Sequence, residues 1–206
     1  MINELDQMFR PYVAQEMIDE VRLRLRAEKR WGNVVLPKGL KETVEEHVDN
    51  LPVILNEWVD LFPMLPEQVD INKVKKQFGV HDDPEAVDGD LSYAHPKHKE
   101  LNGRKKRKEH LIFVTFLPKI IPDPVRNAEL ISVYNEYEQR KTKESKCANL
   151  IDKFEAVWWA EIHNCMDKLN PKAMELTRYL AQDFTESLDE PLRTPMGIYL
   201  TRKLTF

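Results

Sequence analysis

The stretch TKESKCANLIDKFEAVWWAEIHNCMDK, residues 142–168, reads as the longest helix of the chain. Leu150, Ile151, Phe154, Val157, Trp158 and Ile162 recur at helical spacing and line one apolar face. Asn170-Pro171 marks its end and opens a further helix to about Leu188. Asp152 lies among Leu150, Ile151 and Phe154 on that face. A carboxylate facing inward is costly unless a cation or hydrogen-bond donor meets it. Taken alone, Asp152 reads equally as a salt-bridge partner of Lys146 or Lys153.

The same period recurs outward from this helix. Leu5, Met8, Phe9, Val13, Met17, Val21 and Leu25 form a helical stripe over residues 1–30. Val44, His47, Val48, Leu51, Ile54, Leu55 and Trp58 form another from Lys41 to about Leu61, with Pro52 predicting a kink one turn after His47. Val74, Phe78 and His81 predict a third helix over 70–81, and a fourth is expected over 125–140. The run from Leu111 to Leu117 fits a strand or a buried helix, and an irregular tail is expected after Leu188. No alternation of strands and helices appears. The fold is therefore read as mostly or wholly helical.

Composition narrows the class. The chain has 206 residues, 42% of them hydrophobic, which suits one domain over 1–206 with a sizeable core. A net charge of −4 gives no basic signature, so stable nucleic-acid binding is not expected. No apolar run approaches the ~18 residues of a membrane span. Cys147 and Cys165 form no CxxC pair, and the N-terminus is charged from Glu4 onward. A soluble protein of the reducing cytoplasm is the expectation.

The chemistry concentrates in His81-Asp82-Asp83-Pro84-Glu85-Ala86-Val87-Asp88-Gly89-Asp90. Five acidic side chains and one imidazole fall together with no Lys or Arg among them. Carboxylates this close repel one another unless a cation sits between them, and imidazole nitrogen and carboxylate oxygen both suit a divalent metal. Asp83-Pro84 reads as a helix start, which puts His81 and Asp82 at a junction. His47 lies on an inward-facing stripe and, alone, would be a satisfied core histidine.

The order His47, then His81-Asp82, then Asp152 resembles the H…HD…D signature of HD-domain phosphohydrolases. The string from His81 to Leu91 is similar to the HDxxE…GDL string of the branch containing bacterial 5′-deoxynucleotidases. Thr43-Val44-Glu45-Glu46-His47, the upstream Arg30-Trp31 pair, and Glu136-Tyr137-Glu138 followed by Glu144, Lys146 and Asp152 match the same branch. The resemblance covers about residues 20–165 and leaves the role of 166–206 open. Asn149 departs from it, because related sequences often carry Lys three residues before the final Asp.

The resemblance implies an all-α HD-domain helical bundle. It implies one divalent cation (Co, Mn, Mg or Zn) on His47, His81, Asp82 and Asp152. It gives Glu85 the attacking water and Asp90 the water or sugar. It gives Arg30 the phosphate, and it gives Trp31 a place beside the sugar that crowds a 2′-hydroxyl. The implied reaction is hydrolysis of deoxynucleoside 5′-monophosphates to deoxynucleoside and phosphate. The alternatives are a dNTP triphosphohydrolase on the same site, like the related phage dATP triphosphohydrolases, and a non-catalytic nucleotide-binding module. Trp158 and Trp159 cannot both face one core, which with the family habit suggests a homodimer or higher oligomer. Asp83, Asp88, His95, His98 and the basic run Arg104–Lys108 read as cap or solvated residues.

Overall fold

The structure is a computed structural model that describes residues 23–27, 29–31, 34–37, 39–82, 107, 110–111, 114–115 and 123–205. Among these residues the regular structure is helical apart from an isolated antiparallel bridge between Lys29 and Thr43. The expectation of an all-helical fold is met. The helices are α1 (Val44–Leu61), α2 (Leu65–Gln68), α3 (Ile71–Phe78), α4 (Pro124–Gln139), α5 (Lys143–Ile162), α6 (Pro171–Ser187) and α7 (Arg193–Lys203), with a 3-10 turn at Met166–Lys168. The chain divides into two compact units. The first comprises Met1–Asp49 and Gly79–Asn135, the second Asn50–Phe78 and Glu136–Phe206.

In the first unit, α1 begins on a capping box. The Thr43 hydroxyl accepts from the Glu46 amide at 3.1 Å, and the Glu46 carboxylate accepts from the Thr43 amide at 2.8 Å. Val44 and Val48 are buried beside His47 along the start of this helix. Residues 23–27 are helical with Leu25 buried, and the rest of the stripe expected over 1–30 lies outside the described residues. His110, Leu111, Val114 and Thr115 are helical, which favours helix over strand at the described positions of the 111–117 run, but Leu111 is 58% exposed, so burial is not met there. Thr115 donates its hydroxyl back to the Leu111 carbonyl at 2.7 Å, as in a regular helix.

In the second unit the core centres on Trp58. Its ring meets Phe154 at 5.5 Å, Phe184 at 6.4 Å and Tyr199 at 6.4 Å, which brings side chains of α1, α5, α6 and α7 onto one aromatic cluster. Pro52 lies buried inside α1, which continues through it to Leu61. Helix α5 starts where the periodicity places it. Thr142 caps it, accepting from the Ser145 amide, while the Ser145 side chain accepts from the Thr142 amide. Asn170 caps α6 by accepting from the Lys172 amide at 2.9 Å, with Pro171 in the first turn. Lys146 pairs with Asp183 at 2.8 Å and Lys73 with Glu136 at 2.8 Å. Both cysteines are buried, and burial pushes the Cys147 thiol well above its usual range.

Two expectations need correction. Helix α5 ends at Ile162, short of 168, because Asn164 turns left-handed at φ 53° and the Cys165 amide bonds back to the Ala160 carbonyl. The chain after Leu188 is no irregular tail, since α7 occupies Arg193–Lys203. Trp159 is buried and Trp158 is partly exposed, its indole N–H donating to Glu57 at 3.2 Å. No helix among the described residues is long and apolar enough to cross a membrane.

Candidate functional site

The first unit brings five of the singled-out residues together. The capping box fixes the first turn of α1 and thereby the side of the helix on which His47 emerges. His47 is buried, and its Nε2 lies 3.5 Å from Oδ2 of Asp82. His81 and Asp82 follow α3 through a turn at 79–80, at the junction the sequence suggests. There His81 Nε2 lies 3.2 Å from the same Asp82 oxygen. The two imidazole rings stand 5.8 Å apart, tilted by 59°. Each of the three residues offers one ligand atom, and these atoms all lie within 4.8 Å of one another.

These separations can be tested against a metal. Tetrahedral ligands at about 2.0–2.1 Å from zinc stand roughly 3.3 Å from each other. The two nitrogen–oxygen distances in the structure, 3.2 and 3.5 Å, bracket that value. Two borderline nitrogen donors and one hard anionic oxygen suit zinc, manganese or cobalt. The donor set present therefore fits a divalent cation.

Arg30 and Trp31 stand beside this cluster. The Arg30 amide donates to the Glu42 carbonyl at 3.1 Å, next to the Lys29–Thr43 bridge, so the turn is pinned to the chain just ahead of α1. The Arg30 guanidinium donates to Nδ1 of His47. Its Nη1 also lies 3.7 Å from Oε2 of Glu42, and the Trp31 indole N–H donates to that same oxygen. Trp31 itself sits at φ 58°, a region that bulky side chains rarely adopt. Arg26 forms a two-point pair with Glu45 at 2.6 and 2.9 Å on the outer side of α1.

Glu42 was not singled out from the sequence. It stands in a charged stretch, Lys41 to Glu46, and reads there as solvated. In the structure it is 1% exposed and gathers both members of the Arg30-Trp31 pair. The available signal is its place immediately before the Thr43 cap, where the chain must turn inward to start α1.

Asp152 belongs to the second unit. It is buried on α5, and its Oδ2 accepts from the Tyr137 hydroxyl at 2.6 Å and from Lys153 at 2.8 Å. The salt bridge with Lys153, one of the two plain readings, is thus present; Lys146 pairs elsewhere. Asn149 is buried and donates its side-chain amide to the Tyr137 and Ser145 carbonyls at 2.8 and 2.9 Å. It therefore ties α5 to the end of α4 and steadies the backbone of the tyrosine that holds Asp152. Glu155, one turn beyond Asp152, is also buried and accepts from Asn50 at 2.8 Å. Glu85 and Asp90 lie outside the described residues, as do Asp83, Asp88, His95, His98 and most of the 104–108 run.

A family model described as an HD domain matches residues 23–189, past the 165 at which the sequence resemblance was traced. No curated protein matches the chain. Among solved structures, a protein from Pyrococcus horikoshii OT3 is similar at TM-score 0.62 and 20% identity, covering 88% of this chain and 98% of its own. The HD phosphohydrolase DatZ of cyanophage S-2L, bound to dA and one catalytic Zn2+ ion, is similar at TM-score 0.52 and 19% identity, covering 89% and 94%. A protein of Magnetospirillum magnetotacticum MS-1, described as a predicted metal-dependent phosphohydrolase, is similar at TM-score 0.62 and 18% identity, covering 91% of each chain.

Proposed function

The chain belongs to the HD-domain family, and from that premise we propose that it is a metal-dependent phosphohydrolase acting on deoxynucleoside 5′-monophosphates. The observation that carries the reading is the convergence of His47, His81 and Asp82 at ligand spacing with Arg30 against the same histidine. A solved relative that holds dA and a catalytic Zn2+ supports both the metal and the deoxynucleoside. A bound divalent cation would neutralise phosphate charge and make its water a nucleophile near neutral pH.

The remaining work falls to side chains. Arg30 presents a planar fork of donors suited to two phosphate oxygens. Trp31 offers an aromatic wall beside the sugar, where it leaves room for a 2′-hydrogen and crowds a 2′-hydroxyl. The H…HD…D signature would add Asp152, held by Tyr137, as a fourth ligand. Glu85 takes the proton of the attacking water, and Asp90 assists on the water or the sugar. The phosphorus–oxygen bond to the 5′ carbon's oxygen breaks, releasing deoxynucleoside and orthophosphate.

A panel of mono-, di- and triphosphates, ribo and deoxy, assayed with Mn2+, Co2+ and Mg2+, tests the reading. Orthophosphate from dAMP, with AMP turned over at least about tenfold more slowly, is the expected result. Tripolyphosphate or pyrophosphate from dATP with no turnover of dAMP would replace it with a triphosphohydrolase. A preference for AMP would remove the role given to Trp31.

A further inference from the structure

We infer that Glu42 is a positioning residue that holds the Arg30-Trp31 pair in its substrate-binding arrangement. The inference rests on the reading of Arg30 and Trp31 as the phosphate and sugar contacts. Glu42 is 1% exposed, and a buried carboxylate persists only where cations and donors satisfy it. Two of its contacts are to these neighbouring residues. The Trp31 indole N–H donates to Oε2, and the Arg30 Nη1 lies 3.7 Å from the same atom. Its carbonyl accepts the Arg30 amide at 3.1 Å, so backbone and side chain grip the same turn.

The backbone of Trp31 explains why a grip is needed. At φ 58° a tryptophan is held against its own preference, and such a conformation persists only when its surroundings over-determine it. The indole bond to Glu42 fixes the side chain, and the Lys29–Thr43 bridge with the Arg30 amide bond fixes the chain before it. Val34 closes the turn from the other side, its amide donating to the Trp31 carbonyl at 2.6 Å. Arg30, for its part, is shared between Nδ1 of His47 and the Glu42 carboxylate. Glu42 thus keeps the guanidinium beside the His47–His81–Asp82 cluster without itself offering anything to substrate. Glycine at position 31 would adopt this backbone freely, but it would leave no ring to place. The carboxylate is the means by which a large ring is kept in a conformation that suits a small one.

Glu42→Gln and Glu42→Ala separate the two functions. The amide oxygen of Gln still accepts the indole N–H but carries no charge for Arg30. Glu42→Gln is expected to raise the KM for dAMP about tenfold while the dAMP over AMP preference stays within about threefold. Glu42→Ala is expected to raise KM and also cut the preference about tenfold. Trp31→Ala should cut the preference equally, and the Trp31→Ala/Glu42→Ala double variant should cut it no further, because both act through one ring. Mn2+ stoichiometry by calorimetry and the far-UV circular dichroism should match the parent throughout, which a general loss of structure would not permit. Unchanged KM and preference in both Glu42 variants, or a double variant whose losses multiply, would overturn the inference. If Trp31→Ala and Arg30→Ala leave preference and KM untouched, the substrate reading itself fails and the inference falls with it. Should Glu42→Ala not fold, the KM of Glu42→Gln decides alone.

Discussion

Asp82→Ala is expected to lower turnover about a thousandfold or more and to remove the bound divalent cation. Asp82 contributes the one negative charge of the His47–His81–Asp82 cluster, and its Oδ2 stands between the two imidazole nitrogens at 3.5 and 3.2 Å. Without it the ion would rest on two imidazoles and, in the proposed ligand set, Asp152, so the loss falls on metal content first and on turnover through it. At 17% side-chain exposure Asp82 is partly solvated, and its removal leaves no large cavity. The melting temperature of the metal-free protein should therefore shift by no more than a few degrees. Glu85→Ala is the contrasting variant. It should keep its metal while turnover falls about a hundredfold or more, because a general base acts on the water and not on the ion. Metal analysis of the two purified variants separates the roles. Equal metal loss in both would contradict the division of labour between Asp82 and Glu85.

Trp58→Ala carries the largest expected effect on stability. Trp58 is fully buried and touches Phe154, Phe184 and Tyr199 from three other helices of its unit. Truncation removes the largest side chain of that cluster and leaves a void that the surrounding rings cannot fill without leaving their rotamers. The expected loss is about 3–5 kcal/mol, read as a reduced urea midpoint at unchanged slope. Leu61→Ala, on the same helix but 57% exposed, serves as control and should cost less than about 0.5 kcal/mol. A Trp58→Ala loss below about 1 kcal/mol would mean that the aromatic cluster does not organise the second unit.

The parts of the fold that were legible share a physical reason. Helices α1, α3, α4, α5 and α6 each bury one stripe, so their apolar residues recur at the helical period and their starts carry caps. The family resemblance, drawn from the histidines, the aspartates and the Arg30-Trp31 pair, is borne out by the match over 23–189. Helix α7 escaped for an instructive reason. Pro195 and Gly197 are residue types that usually interrupt a helix, yet Pro195 falls in the first turn, where no intrahelical N–H bond is lost. Gly197 packs so closely that an added Cβ would meet the Thr185 methyl at 3.2 Å, so its smallness is used for contact with α6. Leu192, Met196, Leu200 and Leu204, four residues apart and all buried, carried the signal that the breakers masked.

The site shows the same division. His81 and Asp82 stood out in the sequence because an imidazole and carboxylates crowded at an acidic junction call for a cation, whereas His47 read alone as a satisfied core histidine and entered only through the family resemblance. Glu42 was not legible, because a glutamate among charged neighbours looks solvated until the fold buries it. Asp152 was legible as a buried carboxylate, whereas the Tyr137 hydroxyl and Lys153 that satisfy it come from the folded arrangement of α4 and α5.

The most direct test of the central claim is orthophosphate release from dAMP before and after metal removal. Protein dialysed against EDTA should release none, and adding back Mn2+ or Co2+ should restore release while Asp82→Ala stays inactive. Release that persists undiminished in the metal-free protein, or that no divalent cation elicits, would contradict a metal-dependent phosphohydrolase built on His47, His81 and Asp82.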